Sequence, residues 1–354
     1  MKKMMPEKAG GHMPMSVQKW LLRKIKGIDR ERMNKHIDVL AQESGKSKLY
    51  IKWDIFRNFL SRGVGYTDYF RGDYLHLTKA EKDTFVTSKT YYNLMHYLND
   101  QRYIGLLNDK LLFNEFFRDY IRRDFVDLRR ITPEEFAAFL KGRETVFAKI
   151  PNGECGHGIR KVTVAEQPDT DALYAQLMQD GQYLVEETIL QCPEMNEINP
   201  YVVNSFRVVT LIKDGKAQVI ANAVRVNQTE SQVVGCTDDV YFYLNEEGRV
   251  ASNVIDDYGT VYEAHPLTGK KFSEVQIPGV PEAFRMCCEA AEKIPQVRYI
   301  GWDIAFSVNG PVIVEGNEYP GFGFLQFYKL TGSHTGHLKQ IADVLGNEMK
   351  QIKL

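Results

Sequence analysis

The stretch 299–317 constrains this chain more tightly than any other. Two runs rich in β-branched and aromatic residues, 299–308 and 311–315, meet at Asn309-Gly310, a strong short-range hairpin signal. Three oxygen-bearing side chains, Asp303, Glu315 and Asn317, interrupt the apolar pattern. Side chains alternate between the faces of a strand, so Glu315 and Asn317 share a face. Whether Asp303 joins them depends on the turn. A two-residue Asn309-Gly310 turn pairs 303 with 316 and sends Asp303 and Glu315 to opposite faces. A three-residue loop, Val308-Asn309-Gly310 with Gly310 left-handed, pairs 307 with 311 and therefore 303 with 315. The spacing predicts the three-residue loop, which gathers three hard oxygen donors suited to Mg²⁺. The plainer alternative is a pair of acids at a solvated hairpin edge.

Upstream, the pattern changes once. From residue 17 to about 140 apolar residues recur at helical spacing through Trp20, Leu21, Ile25 and Ile28, then Ile37, Val39 and Leu40, then Ile51, Trp53, Ile55, Phe56 and Leu60. Breaks fall at Gly27, Ser44-Gly45 and Gly63-Val64-Gly65. Thr132-Pro133-Glu134-Glu135 opens a further helix with a Thr cap, Pro in the first turn and acids at the positive dipole end. At Thr145 strand patterns begin: 145–150, 159–164, 183–187, then two long alternating strands, 205–212 and 217–226, joined by Lys213-Asp214-Gly215-Lys216. Helices are predicted over 169–180, 281–293 and 337–350. Helices on one side of mostly antiparallel strands argue for an α+β chain with a helical N-terminal region.

Composition bounds what such a chain does. Its 354 residues suggest two or three domains, and 19 Phe, 19 Tyr and 3 Trp supply enough surface to exclude disorder for most of the length. No apolar run approaches the roughly 18 to 20 residues needed to span a bilayer. The first 20 residues lack the apolar stretch of a signal peptide, so export is not expected. Five cysteines, Cys155, Cys192, Cys236, Cys287 and Cys288, form no CxxC pair, which argues against a disulfide framework or a zinc site and for reduced thiols in a cytoplasm. Charge is uneven: residues 1–62 carry 15 Lys/Arg against 6 Asp/Glu, a net +9, leaving −10 for the remainder. That region can meet phosphates, acidic glycans or, peripherally, an anionic membrane, or simply be a solvated helix face. No nucleic-acid signature is present.

Four features carry chemistry. Lys149 ends an apolar strand and precedes a loop with three glycines, Gly153, Gly156 and Gly158, around His157. Glycine lets backbone N–H groups approach a phosphate while a lysine supplies the point charge, although no Walker A spacing is present. Arg207 and Arg225 sit within apolar strands and need anionic partners, a phosphate, a substrate carboxylate or a structural acid. Glu186-Glu187 closes the strand that begins at Tyr183 and is followed by Ile189 and Glu194. The oxygen trio of the terminal hairpin is the fourth.

In this order along the chain, the four resemble the ATP-grasp superfamily, above all its sugar-transfer-associated members, from about residue 108 to 326. The resemblance rests on NDK (108–110), VFAKIPNGECGHGI (146–159), YLVEETI (183–189), NSFRVVTL (204–211) and GWDIAFSVNGPVIVEGNEYPG (301–321). It implies an ATP-grasp fold, two α+β subdomains gripping ATP, here over 108–190 and 191–354, behind a helical region over 17–107 and an unstructured tail over 1–16. By the same resemblance Lys110 and Lys149 hold the α- and β-phosphates, and the loop through Gly153, Gly156, His157 and Gly158 covers the triphosphate. Glu186 to Ile189 meets adenine largely through backbone groups, with Glu187 or Glu194 at the ribose. Asp303, Glu315 and Asn317 bind two Mg²⁺, with Mn²⁺ as a substitute, and Arg207 and Arg225 steady the transferring phosphoryl group. One segment departs from the family, Val233-Val234-Gly235-Cys236-Thr237-Asp238-Asp239, where relatives carry an Asn and paired glycines.

The family's reaction joins a small-molecule carboxylate to an amine through an acyl phosphate, and positioning with charge neutralisation supplies most of the catalysis. For this chain the expectation is such a ligase in cell-envelope polysaccharide or natural-product biosynthesis, with a homodimer as the expected assembly. A kinase on the same scaffold, a carboxylate–thiol ligase, a non-catalytic nucleotide-binding module and a cysteine hydrolase using Cys155 and His157 are the competing readings. His334 and His337 read as residues at a helix entrance rather than metal ligands. Tyr66, Asp68, Tyr69 and Arg71 are read as packing against the core or touching an acceptor.

Overall fold

The computed structural model describes residues 28–153, 158–230 and 239–352. Local chemistry sets the first elements. The helix Arg30–Ser44 starts at Asp29, whose side chain accepts from the Arg32 N–H, and ends at Gly45. Lys48–Arg62 follows between Ser47 and Gly63 in the same way. Shorter helices lead to Ser88–Leu98, and Thr132 with Glu135 forms the capping box of Pro133–Leu140.

Among the described residues, ten strands form two antiparallel sheets. The smaller has the order β1-β4-β2-β3, built from β1 (Phe125–Asp127), β2 (Thr145–Lys149), β3 (Ile159–Thr163) and β4 (Leu184–Glu187). Val146, Ala148 and Val185 turn one of its faces onto the helices Pro133–Leu140 and Thr170–Gln179, whose Phe136, Leu140, Leu173 and Leu177 complete that core. By alternation, Phe147, Lys149 and Glu186 occupy the other face.

The larger sheet runs β10-β9-β5-β6-β7-β8. Its strands are β5 (Ser205–Lys213), β6 (Lys216–Asn227), β7 (Asp239–Phe242), β8 (Ile255–Asp256), β9 (Tyr299–Ser307) and β10 (Gly310–Asn317). The β5–β6 turn has two residues, Asp214 at φ 51° and Gly215 at φ 79°, a backbone that suits Asp-Gly and matches strand twist. Phe206, Val208, Val224, Trp302 and Ile304 pack one face against the helix Val280–Glu292.

Helices cover the opposite face as well, so the single-sided layer expected from the sequence becomes a double one. Val209, Leu211 and Tyr299 meet Leu94 and Leu98 and the C-terminal helix His337–Leu345. Tyr241 and Ile255 meet Ile37, Leu40, Ile51, Ile55 and Tyr69 of the N-terminal helices. The N-terminal helical region is thus continuous with the hydrophobic packing of the larger sheet. His337, buried, opens its helix and its ring Nε2 lies 2.8 Å from the Tyr299 hydroxyl.

Candidate active site

The terminal hairpin reaches the expected pairing by a different route. Gly310 stands opposite Ser307, so the loop has two residues, Val308 and Asn309, not three, and this register runs on to Ile313 opposite Ile304. A β-bulge at Val314 then inserts one extra residue, and Glu315 comes opposite Asp303 with Asn317 opposite Gly301. The turn alone would have left the carboxylates on opposite faces. The bulge restores them to one face.

What holds the bulge was not legible in the sequence. Arg123, buried between the sheets, donates from Nη1 to the Ile313 carbonyl at 2.8 Å and from Nη2 to the Val314 carbonyl at 3.3 Å. The same guanidinium donates to Glu186 Oε1 through Nε at 3.1 Å and Nη2 at 2.8 Å. One arginine therefore ties the smaller sheet to the irregular strand that aims Glu315.

Next to β9, β5 places Arg207 directly opposite Asp303. The pair is bidentate, with Nε–Oδ1 at 2.6 Å and Nη2–Oδ2 at 2.9 Å. Ser205 Oγ lies 3.3 Å from Asp303 Oδ1, and Asn317 Nδ2 lies 3.2 Å from Asp303 Oδ2 and 3.4 Å from Glu315 Oε1. Gly301 keeps the space open, because a Cβ there would run into Pro320 and the Arg207 side chain. One strand further on, Arg225 stands opposite Ser205, donates to Asp239 Oδ2 at 2.5 Å and lies 5.6 Å from the centre of the Tyr241 ring. Glu315, Asp303, Arg207 and Arg225 thus form a charged row across one face of the sheet, while Trp302 and Ile304 face the core.

The row is not electrically uniform. Burial pushes the Asp303 carboxyl up, but the Arg207 guanidinium outweighs it and holds Asp303 below the usual carboxylate range. For Glu315 burial comes first and the neighbouring Asp303 charge second, and together they raise its pKa. Lys110 Nζ is 3.9 Å from Glu315 Oε2 and donates to the Gly153 carbonyl at 2.6 Å. Two carboxylates and an amide on one face, one carboxylate crowded by the other, form a donor set that fits a hard divalent cation.

Across from them, Lys149 and Glu186 project from the smaller sheet. Glu186 is 2% exposed and accepts from Asn114 Nδ2 at 2.6 Å, from Arg123 and, in an ion pair, from Lys149. Burial raises its pKa, but the Arg123 and Lys149 charges overcome this and hold it well below the carboxylate range. The Glu186 side chain is therefore committed to its cations, and its backbone lies inside the sheet, paired with Phe125 on β1 and Phe147 on β2, so the adenine contact implied by resemblance is not available at Glu186 itself. Glu187 receives the Asp124 N–H at 3.2 Å on Oε2, and its own N–H bonds the Asp124 carbonyl. Ile189 and Glu194 are half-buried. The segment between them crosses from the smaller sheet to β9, where the Cys192 N–H reaches the Phe306 carbonyl at 2.8 Å.

Some expectations fall outside the described residues: Gly156, His157 and Cys155 of the loop, 233–238, and 1–27. Of the same loop, the Gly158 carbonyl accepts from the Ile150 N–H at 3.2 Å and from Gln182 Nε2 at 3.0 Å. Tyr69 is wholly buried with its hydroxyl on Asp54 at 2.6 Å, a packing role. Arg71 instead reaches Asp257 at 2.6 Å, beside Arg32 at 2.7 Å.

The family model for sugar-transfer-associated ATP-grasp proteins matches residues 90–342. Among solved structures, the ATP-grasp ligase PsnB complexed with minimal precursor is 16% identical at a TM-score of 0.39, covering 70% of this chain and 62% of its own. D-alanyl-alanine synthetase A from Vibrio cholerae is 14% identical at 0.40, covering 69% and 65%. The biotin carboxylase domain of 2-oxoglutarate carboxylase from Hydrogenobacter thermophilus is 14% identical at 0.43, covering 69% and 46%. The chain thus spans less than two thirds of the length of each of these three. No curated protein sequence matches it. On the match over 90–342, in which Lys110, Lys149, Arg207, Arg225, Asp303, Glu315 and Asn317 all fall, the chain belongs to the sugar-transfer-associated ATP-grasp family.

Proposed function

We propose that the protein is an ATP-dependent carboxylate–amine ligase that makes an amide through an acyl phosphate, acting on small molecules of cell-envelope polysaccharide or natural-product biosynthesis in the cytoplasm. The observation that carries this reading is the charged row, with Glu315 and Asp303 beside Arg207 and Arg225 on one sheet and Lys149 on the facing one.

In the first step a substrate carboxylate oxygen attacks the γ-phosphorus of ATP and the bond to the β-phosphate oxygen breaks, releasing ADP. An amine nitrogen then attacks the acyl carbon, the carbon–oxygen bond to phosphate breaks, and the amine proton passes to solvent. The reactants bring several negative charges together, so the need is for cations in fixed positions. Lys110 and Lys149 would take the α- and β-phosphates. Arg207, already held by Asp303, and Arg225, held by Asp239, would face the phosphoryl group and the acyl phosphate. Mg²⁺ on Asp303, Glu315 and Asn317, two ions in this reading with Mn²⁺ as a substitute, would supply charge neutralisation of the phosphates.

The test is a screen of paired carboxylates and amines with Mg·ATP, following ADP and free phosphate together. ADP with equal phosphate, needing both substrates and abolished by EDTA, is the expected result. ADP without phosphate makes the protein a kinase. Calorimetry showing no Mg²⁺-dependent affinity for ATP removes the enzymatic assignment.

A further inference from the structure

The helix Lys48–Arg62 turns its two apolar sets opposite ways. Ile51 and Ile55 are buried in the core, with Asp54 and Asn58 beside them. Leu49, Trp53, Phe56 and Leu60 stand outside it, 79%, 55%, 58% and 60% exposed. Their spacing of four, three and four residues puts them on one stripe roughly 16 Å long. Among the described residues, four large apolar side chains in line are an uncovered face, not scattered surface residues.

Charge says what the face meets. At about 100° per residue, Lys52 and Arg57 flank the stripe on either side, both exposed. Lys46 lies over the Tyr50 ring at 5.0 Å and Arg57 over Trp53 at 5.2 Å, so cations sit against the aromatic rim. Residues 46–62 hold five Lys/Arg and one acid, Asp54, which is buried. Residues 1–27, which precede the first described helix, hold seven Lys/Arg and one acid. Their charge has the same sign as the flanks of the stripe and repels those flanks rather than pairing with them.

We infer that this helix docks the protein on an anionic lipid bilayer, with Leu49, Trp53, Phe56 and Leu60 seated at the headgroup–acyl boundary and Lys46, Lys52 and Arg57 among the phosphates. The Tyr69 hydroxyl donates to Asp54 and ties the helix from behind to the neighbouring element. The inference is independent of the amide-forming reading. Nothing on this face belongs to the charged row.

The experiment is co-sedimentation of the full chain with phosphatidylcholine vesicles containing about three parts in ten phosphatidylserine, against phosphatidylcholine alone. Binding to the anionic vesicles is expected, with a blue shift of tryptophan emission. Trp53→Ser/Phe56→Ser should weaken the partition about a hundredfold, and Lys46→Glu/Lys52→Glu by tenfold or more, while Mg·ATP affinity stays unchanged. Absence of sedimentation overturns the inference. So does binding that survives both variants and is lost in Lys19→Glu/Arg23→Glu/Lys24→Glu, which would assign it to the preceding segment. A dimer in solution that Trp53→Ser/Phe56→Ser converts to monomer would give the face to a second copy of the chain instead.

Discussion

The two sheets each present a buried or half-buried glutamate toward the space between them, and the two are treated in opposite ways. Glu186 on the smaller sheet is surrounded by Arg123, Lys149 and Asn114, and its carboxyl is strongly acidified. Glu315 on the larger sheet has Lys110 no closer than 3.9 Å and Asp303 beside it, and its carboxyl is pushed the other way. The first is a closed ionic cluster that locks strands together. The second is looser, with one carboxylate crowded by another and its nearest lysine at the limit of an ion pair. A carboxylate's environment, rather than its presence, separates scaffold from site.

Substitutions should break that contrast in graded fashion. The largest effect is expected at Asp303→Asn, which would remove one proposed cation ligand and the Arg207 partner together; ATP turnover should fall by about a thousandfold while the protein still melts cooperatively. Unaltered turnover would refute the site. Glu186→Gln should act on the fold instead. It leaves Arg123 and Lys149 without their shared counter-charge, at a cost of about 4 kcal/mol in denaturant unfolding. Because the native carboxyl is acidified, its contribution is present above the ordinary carboxylate range and is lost only as pH falls through the lower native value. The Glu186→Gln protein should therefore lack that part of the acid dependence.

The smallest effect has the opposite sign. Glu315→Gln relieves crowding with Asp303, so the ligand-free protein should gain about 1 kcal/mol in stability while losing Mg²⁺-dependent nucleotide affinity. A loss of stability at Glu315 would mean that both glutamates are structural.

Much of this was written in the chain. The two long hairpins, the Thr132 capping box, the helix opening at His337 and the order of lysine, arginine and carboxylate positions follow from alternation, turn residues and capping, which act over a few neighbours. Less visible were the three short strands β1, β7 and β8: β1 pairs with β4 rather than with a flanking strand, and β7 and β8, although paired with consecutive strands, are only four and two residues long. The helical periodicity through Ile51, Trp53, Ile55, Phe56 and Leu60 reads as one apolar helix. Which residues of it are covered depends on neighbours far away in sequence.

The hairpin shows the division most sharply. Sequence alone determined that Asp303, Glu315 and Asn317 lie on two consecutive antiparallel strands, because β-branched runs on either side of Asn309-Gly310 leave little choice. It did not determine how Asp303 and Glu315 come to share a face, since one extra residue in a strand reverses every side chain beyond it. That was decided by Arg123, almost two hundred positions away, whose guanidinium bonds the Ile313 and Val314 carbonyls where the bulge sits. A register can be inferred from local pattern; a bulge is settled by whatever partner satisfies its displaced carbonyls, and only the folded chain brings that partner near.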